Sequence, residues 1–310
     1  MVLDISIAFF MLGVLATLIR SEIQFPKALY QSLTLFLMIA IGLKGGVALS
    51  EHASWQLVPQ SIFVIMLGIV IPLIAFPVLF LIGQLERKDA ASIAAHYGSV
   101  SIGTYAVAVA FLEAQQIEYE AYFPLFVVLL EIPAIAVGIA LAKNKGKVLN
   151  RKALAHEIFC NQSMVFMLGG LAIGFWAGER TATIAPFFFD LFKGVLALFL
   201  FEMGMVAASR LQQVKSTSSF ILSFGVAMPL VGGLLGCLLG VAIGLSTGGA
   251  ILLASLGASA SYIAVPAAMR VAIPDANHGL SITASLAITF PFNVLVGIPV
   301  YVVFTQWFVS

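Results

Sequence analysis

Long apolar runs separated by short polar segments dominate the sequence, and ten of these runs approach or exceed the length of a membrane span. A helix needs about 20 apolar residues to cross the ~30 Å hydrocarbon core of a bilayer. Continuous runs predict α-helices, because a transmembrane β-barrel would show short segments of alternating hydrophobicity. We therefore expect an all-α polytopic protein embedded in a lipid bilayer. The ten predicted spans are 5–18, 29–49, 55–83, 90–112, 122–142, 162–177, 185–208, 220–245, 250–271 and 280–304.

The fourth and ninth spans each carry a polar, glycine-containing stretch near the middle. These stretches are 98–105 (G-S-V-S-I-G-T-Y) and 257–262 (G-A-S-A-S-Y). Glycine costs ~1 kcal/mol inside a helix, and serine and threonine hydroxyls compete for backbone hydrogen bonds. We therefore expect both helices to break near the middle of the membrane, with their second halves beginning near Gly103 and Ala260. Broken helices at corresponding places in two halves are typical of transporter binding sites.

The two halves of the chain resemble each other in the order of several short motifs. For example, 10–16 (F-M-L-G-V-L-A) matches 166–172 (F-M-L-G-G-L-A), and the two polar stretches follow at similar spacing. Each half contains five spans, and an odd number forces the second repeat to be inverted in the membrane. The sequence predicts a first inverted repeat at 1–142, a basic cytoplasmic linker at 143–160 and a second inverted repeat at 161–310. The broken helices would then meet at the midplane.

The distribution of basic residues predicts the orientation of the chain. With the N-terminus outside, twelve of the 15 Lys and Arg residues fall in inside loops, five of them in the central linker. Arg180 alone falls in an outside loop, and Lys44 and Lys193 fall within spans. Cytoplasmic loops of membrane proteins carry this excess of positive charge. We expect both termini to lie outside and the linker to be cytoplasmic.

Composition excludes several classes of function. Hydrophobic residues make up 61% of the chain and charged residues 9%, against roughly 25% charged in soluble domains. The net charge of +1 gives no indication of nucleic-acid binding, and two cysteines suffice for neither a disulfide framework nor a metal site. P-loop, H-E-x-x-H and G-x-S-x-G motifs are absent from the sequence. We expect no enzyme, no organic cofactor and no ATP-driven pump.

The facing N-termini of the two second half-helices predict a site for a small anion. Unpaired backbone N–H groups and the helix dipole favour negative charge there. Because no Arg or Lys lies within the breaks, a monovalent anion fits better than a divalent one. Two alternatives remain open: small residues also allow tight helix packing, and the tyrosines could be ordinary aromatic packing. The candidate anion-binding residues are Ser101, Gly103, Thr104, Tyr105, Ser259, Ala260, Ser261 and Tyr262.

Oxygen-bearing residues near the breaks predict a sodium site. Glu131 lies about eight residues into the fifth span, ~12 Å deep, where a carboxylate is a candidate functional group by default. Structural alternatives are a protonated Glu131 bonded to a backbone carbonyl and an interhelical hydrogen bond from Asn293. His96 is expected to be a packing or interfacial residue, and Glu202 has no assigned role. The candidate sodium ligands are Gly98, Ser99, Ser101, Glu131, Thr289 and Asn293.

With the two polar stretches, the E-I-P triplet at 131–133 and the basic centre, the chain resembles the cyanobacterial sodium-dependent bicarbonate transporter family over all ten spans. The resemblance implies sodium-coupled bicarbonate uptake across the plasma membrane, feeding the carbon-concentrating mechanism. It implies elevator-like movement of a core domain against a gate domain. It further implies a homotrimer and a cytoplasmic PII-like regulatory protein, although members usually have a longer loop between the halves than 143–157 here.

The residues alone indicate only a small monovalent oxyanion, and three other functions stay open. A sodium symporter could carry an organic anion in the manner of bile-acid carriers, which a wide apolar cavity beside the break would favour. An anion channel would show flux without sodium coupling. A membrane receptor or scaffold would bind a cytoplasmic partner and transport nothing.

Overall fold

The computed structural model describes residues 5–142, 151–210 and 218–309, and the regular structure within these ranges is entirely helical. The predicted all-α class is therefore confirmed. The helices are α1 (Ile5–Leu18), α2 (Lys27–His52), α3 (Leu57–Pro77), α4 (Arg87–Gly98), α5 (Ile102–Ala114), α6 (Pro124–Ala142), α7 (Arg151–Phe159), α8 (Gln162–Ala177), α9 (Phe192–Ser209), α10 (Ser219–Ala242), α11 (Thr247–Gly257), α12 (Ala264–Ala272), α13 (His278–Ile282), α14 (Phe290–Phe292) and α15 (Ile298–Val309).

Several of these helices adjoin π-helical turns, which are wider than α-helical turns. A π-helical turn, Val78–Ile82, extends α3, and another, Pro186–Asp190, precedes α9. The last helical stretch runs without interruption from α13 to α15, because the π-helical turns Thr283–Thr289 and Asn293–Gly297 join its α-helical parts.

Seven described helical segments are long and apolar enough to cross a membrane, which indicates a multi-pass membrane protein. The helix α1 has 14 residues and is shorter than these, at about 21 Å for a rise of 1.5 Å per residue. A count by length and composition thus falls short of ten, and the ten-span topology stays a prediction. The seven segments are Lys27–His52, Leu57–Ile82, Arg87–Ala114, Pro124–Ala142, Pro186–Ser209, Ser219–Ala242 and His278–Phe308.

Two crossing helix pairs, α1 with α9 and α2 with α8, form a first group of helices. Glycines lie where α1 crosses α9. A Cβ atom on Gly13 would collide with the Phe201 carbonyl of α9, and a Cβ atom on Gly204 would collide with the Phe10 carbonyl of α1. Backbones approach closely at such small residues, which is how membrane helices gain packing energy without a hydrophobic driving force.

The remaining spans form a second group around α4, α5 and α11. The α4 helix packs on α3 and α6, and α11 packs on α10 and α15. In the segment Arg87–Ala114, 94% of an apolar 18-residue window is buried within the protein. In the segment Leu57–Ile82, the buried share of such a window is 39%. Non-helical backbone at membrane depth is tolerated where protein rather than lipid surrounds it. The buried segment Arg87–Ala114 can therefore contain a break between two helices.

The predicted linker is partly helical where the structure describes it. Residues 143–150, with the predicted basic residues Lys143, Lys145 and Lys147, lie outside the described ranges, as does Lys215. After them, Arg151–Phe159 forms a nine-residue helix that the sequence reasoning did not predict. This helix is too short to give a clear periodic signal, and it packs on α12 and α8.

Candidate functional site

The fourth predicted span is interrupted between α4 and α5. The α4 helix ends at Gly98, the three residues 99–101 are non-helical, and α5 begins at Ile102. Ser101 is the N-cap of α5, because its backbone is extended (φ −106°, ψ 116°) and its Oγ accepts a hydrogen bond from Thr104 N at 3.1 Å. A serine N-cap satisfies one of the N–H groups that a helix start leaves free. The remaining N–H groups point toward the interruption.

The ninth predicted span is interrupted over a longer stretch. The α11 helix ends at Gly257, the six residues 258–263 are non-helical, and α12 begins at Ala264. Ala260 thus lies inside the non-helical stretch, four residues before the helix that was expected to begin there. Ser261 Oγ accepts a hydrogen bond from Val265 N at 3.4 Å, so a serine again serves the N-terminus of the following helix.

The end of α4 and the first non-helical stretch lie beside the second stretch and are joined to it by three hydrogen bonds. Ser261 N donates to the His96 carbonyl at 2.8 Å, and the His96 ring nitrogen Nδ1 lies 2.6 Å from the Ser261 carbonyl oxygen. In addition, Ser101 N donates to Ser259 Oγ at 3.0 Å. The unsatisfied backbone groups of each interruption are therefore partly satisfied by the other interruption, 158 to 165 residues away in the chain.

A small cavity lies between the two stretches, with about 10 Å³ of space for the centre of a water-sized particle. This volume is close to the minimum that accommodates one water molecule. In this conformation the cavity can hold one species of that size, which includes a bare monovalent cation but not a four-heavy-atom oxyanion. Its lining consists of Val100, Ser101, Ile102, Glu131, Ser163, Ser261, Tyr262, Ile263 and Ala264.

Glu131 and Ser163 bring oxygen atoms from outside the interrupted spans to this cavity. Glu131 of α6 is 4% exposed, and its carboxylate has no hydrogen-bond or ion-pair partner among the described residues. Ser163, in the first turn of α8, is 2% exposed and comes from the other helix group. Glu131 was predicted from the sequence, but Ser163 was not. The spacing of Ser163 with Met167, Gly170 and Gly174 places it on one face of α8, and the structure buries this face.

The other predicted anion-binding residues have varied surroundings. Gly103 lies against Tyr262, since an added Cβ would be 2.5 Å from the Tyr262 hydroxyl and 3.0 Å from the Phe199 ring of α9. The Thr104 hydroxyl is buried and has no hydrogen-bond partner within the described part of the chain, and the same holds for Ser99, a predicted sodium ligand. Such unsatisfied groups are costly in a protein interior and are candidates for ligand contact.

Four further predicted site residues do not line the small cavity: Gly98, Tyr105, Thr289 and Asn293. Thr289 Oγ1 donates to the Gly225 carbonyl at 2.7 Å and lies 2.7 Å from the Tyr97 hydroxyl. Asn293 Nδ2 donates to the Ala258 carbonyl at 2.8 Å, and its Oδ1 accepts a hydrogen bond from the Tyr301 hydroxyl at 2.7 Å. Asn293 thereby supports the start of the second interruption, while Thr289 ties the last helical stretch to α10.

A second cavity, of about 240 Å³, lies between the two helix groups and reaches Tyr105. Glu113 of α5 lines it and binds two lysines of the first group, Lys44 Nζ at 2.8 Å and Lys193 Nζ at 3.3 Å. The Tyr119 hydroxyl donates to Glu113 Oε1 at 3.2 Å. Burial raises the pKa of Tyr119, so the phenol stays protonated and able to donate. These ion pairs link α2 and α9 to α5.

Comparison with known families identifies the chain. The family description "Na+-dependent bicarbonate transporter superfamily" matches residues 6–306. The chain belongs to this superfamily. It is therefore a transporter and not an enzyme, and membership implies sodium as the coupling ion and bicarbonate as the substrate. No curated protein matches the sequence significantly. The residues that bind these ions must consequently be argued from the geometry of the chain.

Proposed function

We propose that the protein is a symporter that imports bicarbonate together with sodium across the plasma membrane by alternating access. The observation that carries this proposal is the small cavity, where two helix interruptions, a buried carboxylate and serine hydroxyls converge. Oxygen ligands without thiolate or imidazole suit a hard cation. The adjoining N-termini of α5 and α12 suit an anion. A neighbouring pair of opposite charges makes the entry of each ion into a low-dielectric site easier.

The sodium ion is assigned to the cavity beside Glu131. One carboxylate and the hydroxyls of Ser101, Ser163 and Ser261 form an oxygen-rich lining around a water-sized space. Ser99, with its unsatisfied buried hydroxyl, and the carbonyl of Gly98 lie at the adjacent end of α4. Thr289 and Asn293 remain candidates for a further sodium position, although each already has two hydrogen-bonding partners.

Bicarbonate is assigned to the space in front of the α5 and α12 N-termini. The candidate groups there are the backbone N–H groups around Gly103 and Thr104, the Thr104 hydroxyl and the 259–262 segment. Because the present cavity holds only a water-sized species, the anion requires the Tyr262 and Phe199 side chains beside Gly103 to move. Phe199 belongs to the first helix group, so its departure accompanies a movement between the groups.

Inverted repeats at 1–142 and 161–310 account for the packing pattern. The contact of α1 with α9 corresponds to that of α8 with α2 when the halves are exchanged. Likewise, α3 on α4 corresponds to α10 on α11, and α4 on α6 to α11 on α15. With five spans per half, including α4–α5 and α11–α12 as broken spans, the chain would cross the membrane ten times with both termini outside.

An elevator-like movement follows from the two helix groups. The first group (α1, α2, α8 and α9) would be the gate, and the second group would carry the interruptions as a mobile core. The cavity of about 240 Å³ and the Glu113 ion pairs lie at the boundary between them. A homotrimer, a PII-like regulator at the cytoplasmic face and a role in carbon concentration are further proposals that rest on the family resemblance.

The competing functions differ in what they require of the site. A carrier of bulky organic anions would need a wide apolar cavity beside the interruptions. The cavity between them has about 10 Å³ and is too small for bicarbonate as well in this conformation, so membership of the bicarbonate transporter superfamily, rather than cavity size, favours bicarbonate. A channel or a scaffold would not need a buried carboxylate at a closed site. The test is uptake of labelled bicarbonate into proteoliposomes at equal ionic strength. We expect accumulation with an inward sodium gradient and little with potassium; equal rates in both would refute the proposal.

A further inference from the structure

Among the described residues, His96 is the side chain of α4 that bonds the end of this helix to the second interruption. It lies in the last turn of α4, is fully buried, and makes both a main-chain and a side-chain hydrogen bond to Ser261. The last carbonyls of a helix lack partners within that helix. The His96 carbonyl obtains its partner from Ser261 N, and the Ser261 carbonyl obtains its partner from the His96 ring.

The chemistry of the two groups fixes the direction of the side-chain bond. A carbonyl oxygen can only accept a hydrogen bond, so Nδ1 of His96 must carry the proton at the 2.6 Å contact with Ser261 O. The other ring nitrogen, Nε2, is buried without a hydrogen-bond partner in the described part of the chain. His96 therefore acts through its Nδ1–H alone. An amide placed at the position of Nδ1 would reproduce this function.

Ser261 connects this bond to both proposed ion sites. Ser261 lines the small cavity together with Glu131, and its Oγ accepts a hydrogen bond from Val265 N in the first turn of α12. Any displacement of the Ser261 backbone would move a hydroxyl of the sodium cavity and the N-terminus of α12 together. His96 holds that backbone to α4, whose end leads directly into Ser101 and the N-terminus of α5.

We propose that His96 is a positioning residue that makes the two interruptions one unit, so that sodium binding strengthens bicarbonate binding. This inference rests on the proposed symport. When the His96–Ser261 bonds are intact, sodium drawn to the cavity orders both helix N-termini, and bicarbonate meets a site that is already arranged. Without the ring bond, the two interruptions respond to their ions separately. The quantity at stake is the factor by which sodium lowers the half-saturating bicarbonate concentration.

The test compares His96→Asn with His96→Gln in proteoliposomes. Both are amides, but the Asn side-chain nitrogen comes near the position of Nδ1, whereas that of Gln comes near Nε2. Bicarbonate half-saturation is measured at low and at saturating sodium, with rates normalised to folded protein. Ser92→Ala is the matched control, since it removes another buried hydrogen bond of α4, to Ser281 at 3.1 Å, away from the interruptions.

We expect the coupling factor to stay within about twofold of wild type in His96→Asn and Ser92→Ala, and to fall at least about fivefold in His96→Gln. Equal factors in both His96 variants, whether retained or lost, would overturn the inference, because a purely structural histidine does not distinguish the two donor positions. If the wild type itself shows sodium-independent half-saturation, the symport proposal fails instead. If His96→Gln does not fold, sodium-dependent bicarbonate binding to His96→Asn decides, and a lost coupling factor there contradicts the inference.

Discussion

Replacement of Glu131 by Gln tests the sodium assignment through a single charge. The substitution keeps the shape of a side chain that is 4% exposed at the small cavity. A sodium ion about 4 Å from the carboxylate charge gains about 4 kcal/mol at an effective dielectric constant near 20. Burying the carboxylate without a partner offsets part of this gain, and the Gln carbonyl retains some of the ion's coordination.

A net loss of about 2 kcal/mol remains after these offsets, which corresponds to a roughly thirtyfold rise in the sodium concentration for half-maximal uptake, since each 1.4 kcal/mol is a factor of ten. The assay is a sodium titration of bicarbonate uptake in proteoliposomes for wild type and Glu131→Gln. Bicarbonate half-saturation at saturating sodium should change less than sodium half-saturation.

Glu202→Gln supplies the matched control, because Glu202 also lies within a predicted span but does not line the small cavity. We expect its sodium half-saturation to stay within about threefold of wild type, less than 1 kcal/mol. An unchanged sodium titration in Glu131→Gln would refute the assignment. It would mean that Glu131 is a structural carboxyl, which Gln replaces almost isosterically, and that the serines and carbonyls of the interruptions hold the ion by themselves.

Three further predictions follow from the site and its surroundings. Gly103→Val should abolish uptake while folded protein still reaches the membrane, because even its Cβ would lie 2.5 Å from the Tyr262 hydroxyl; near-normal uptake would place the anion elsewhere. Ser163→Ala should raise sodium half-saturation about two- to tenfold, for one lost neutral interaction of about 0.5–1.5 kcal/mol, and an unchanged titration would remove Ser163 from the site. Glu113→Gln should lower thermal stability by at most about 1 kcal/mol, because its ion pairs are partly exposed; melts in choline chloride should show a smaller loss at high salt, and a salt-independent loss would contradict an ion-pair origin.

Helix positions were predictable wherever the apolar run ended at clear polar residues. The described α8 helix, Gln162–Ala177, has the predicted bounds, since Asn161 Oδ1 caps its start by accepting a hydrogen bond from Met164 N and Gly178 follows its end with a positive φ of 52°. The π-helical turns of the last helical stretch were not predictable, because their apolar residues read like those of an ordinary helix.

The second interruption is longer than the alignment of the two repeats predicted. Setting Ala260 over Gly103 assumes interruptions of equal length, but three residues separate α4 from α5 and six separate α11 from α12. The two helix starts also differ in their caps. Ser101 is the N-cap of α5 and its Oγ accepts a hydrogen bond from Thr104 N, whereas Ile263 is the N-cap of α12 and Ser261 Oγ accepts a hydrogen bond from Val265 N. The sequence pattern locates the polar stretch, while the first helical residue depends on these local contacts.

Long-range partners account for the rest of what the sequence could not show. Ser163 resembles any serine near a helix start, and its place at the cavity depends on the packing of α8 against α6. His96 gains its role from Ser261, 165 residues away. Thr289 and Asn293 were predicted as sodium ligands from their place in an apolar segment, but their partners on α10, at Ala258 and at Tyr301 could not be inferred from spacing.

Symport requires bicarbonate and sodium to move together, so a bicarbonate gradient alone must drive sodium uptake. Proteoliposomes are loaded with equal sodium inside and outside, at equal pH and with the membrane potential clamped, and an inward bicarbonate gradient is imposed. We expect labelled sodium to accumulate inside above its external concentration, and we expect replacement of external bicarbonate by chloride to abolish this accumulation. Entry of labelled bicarbonate while sodium stays at equilibrium would contradict symport.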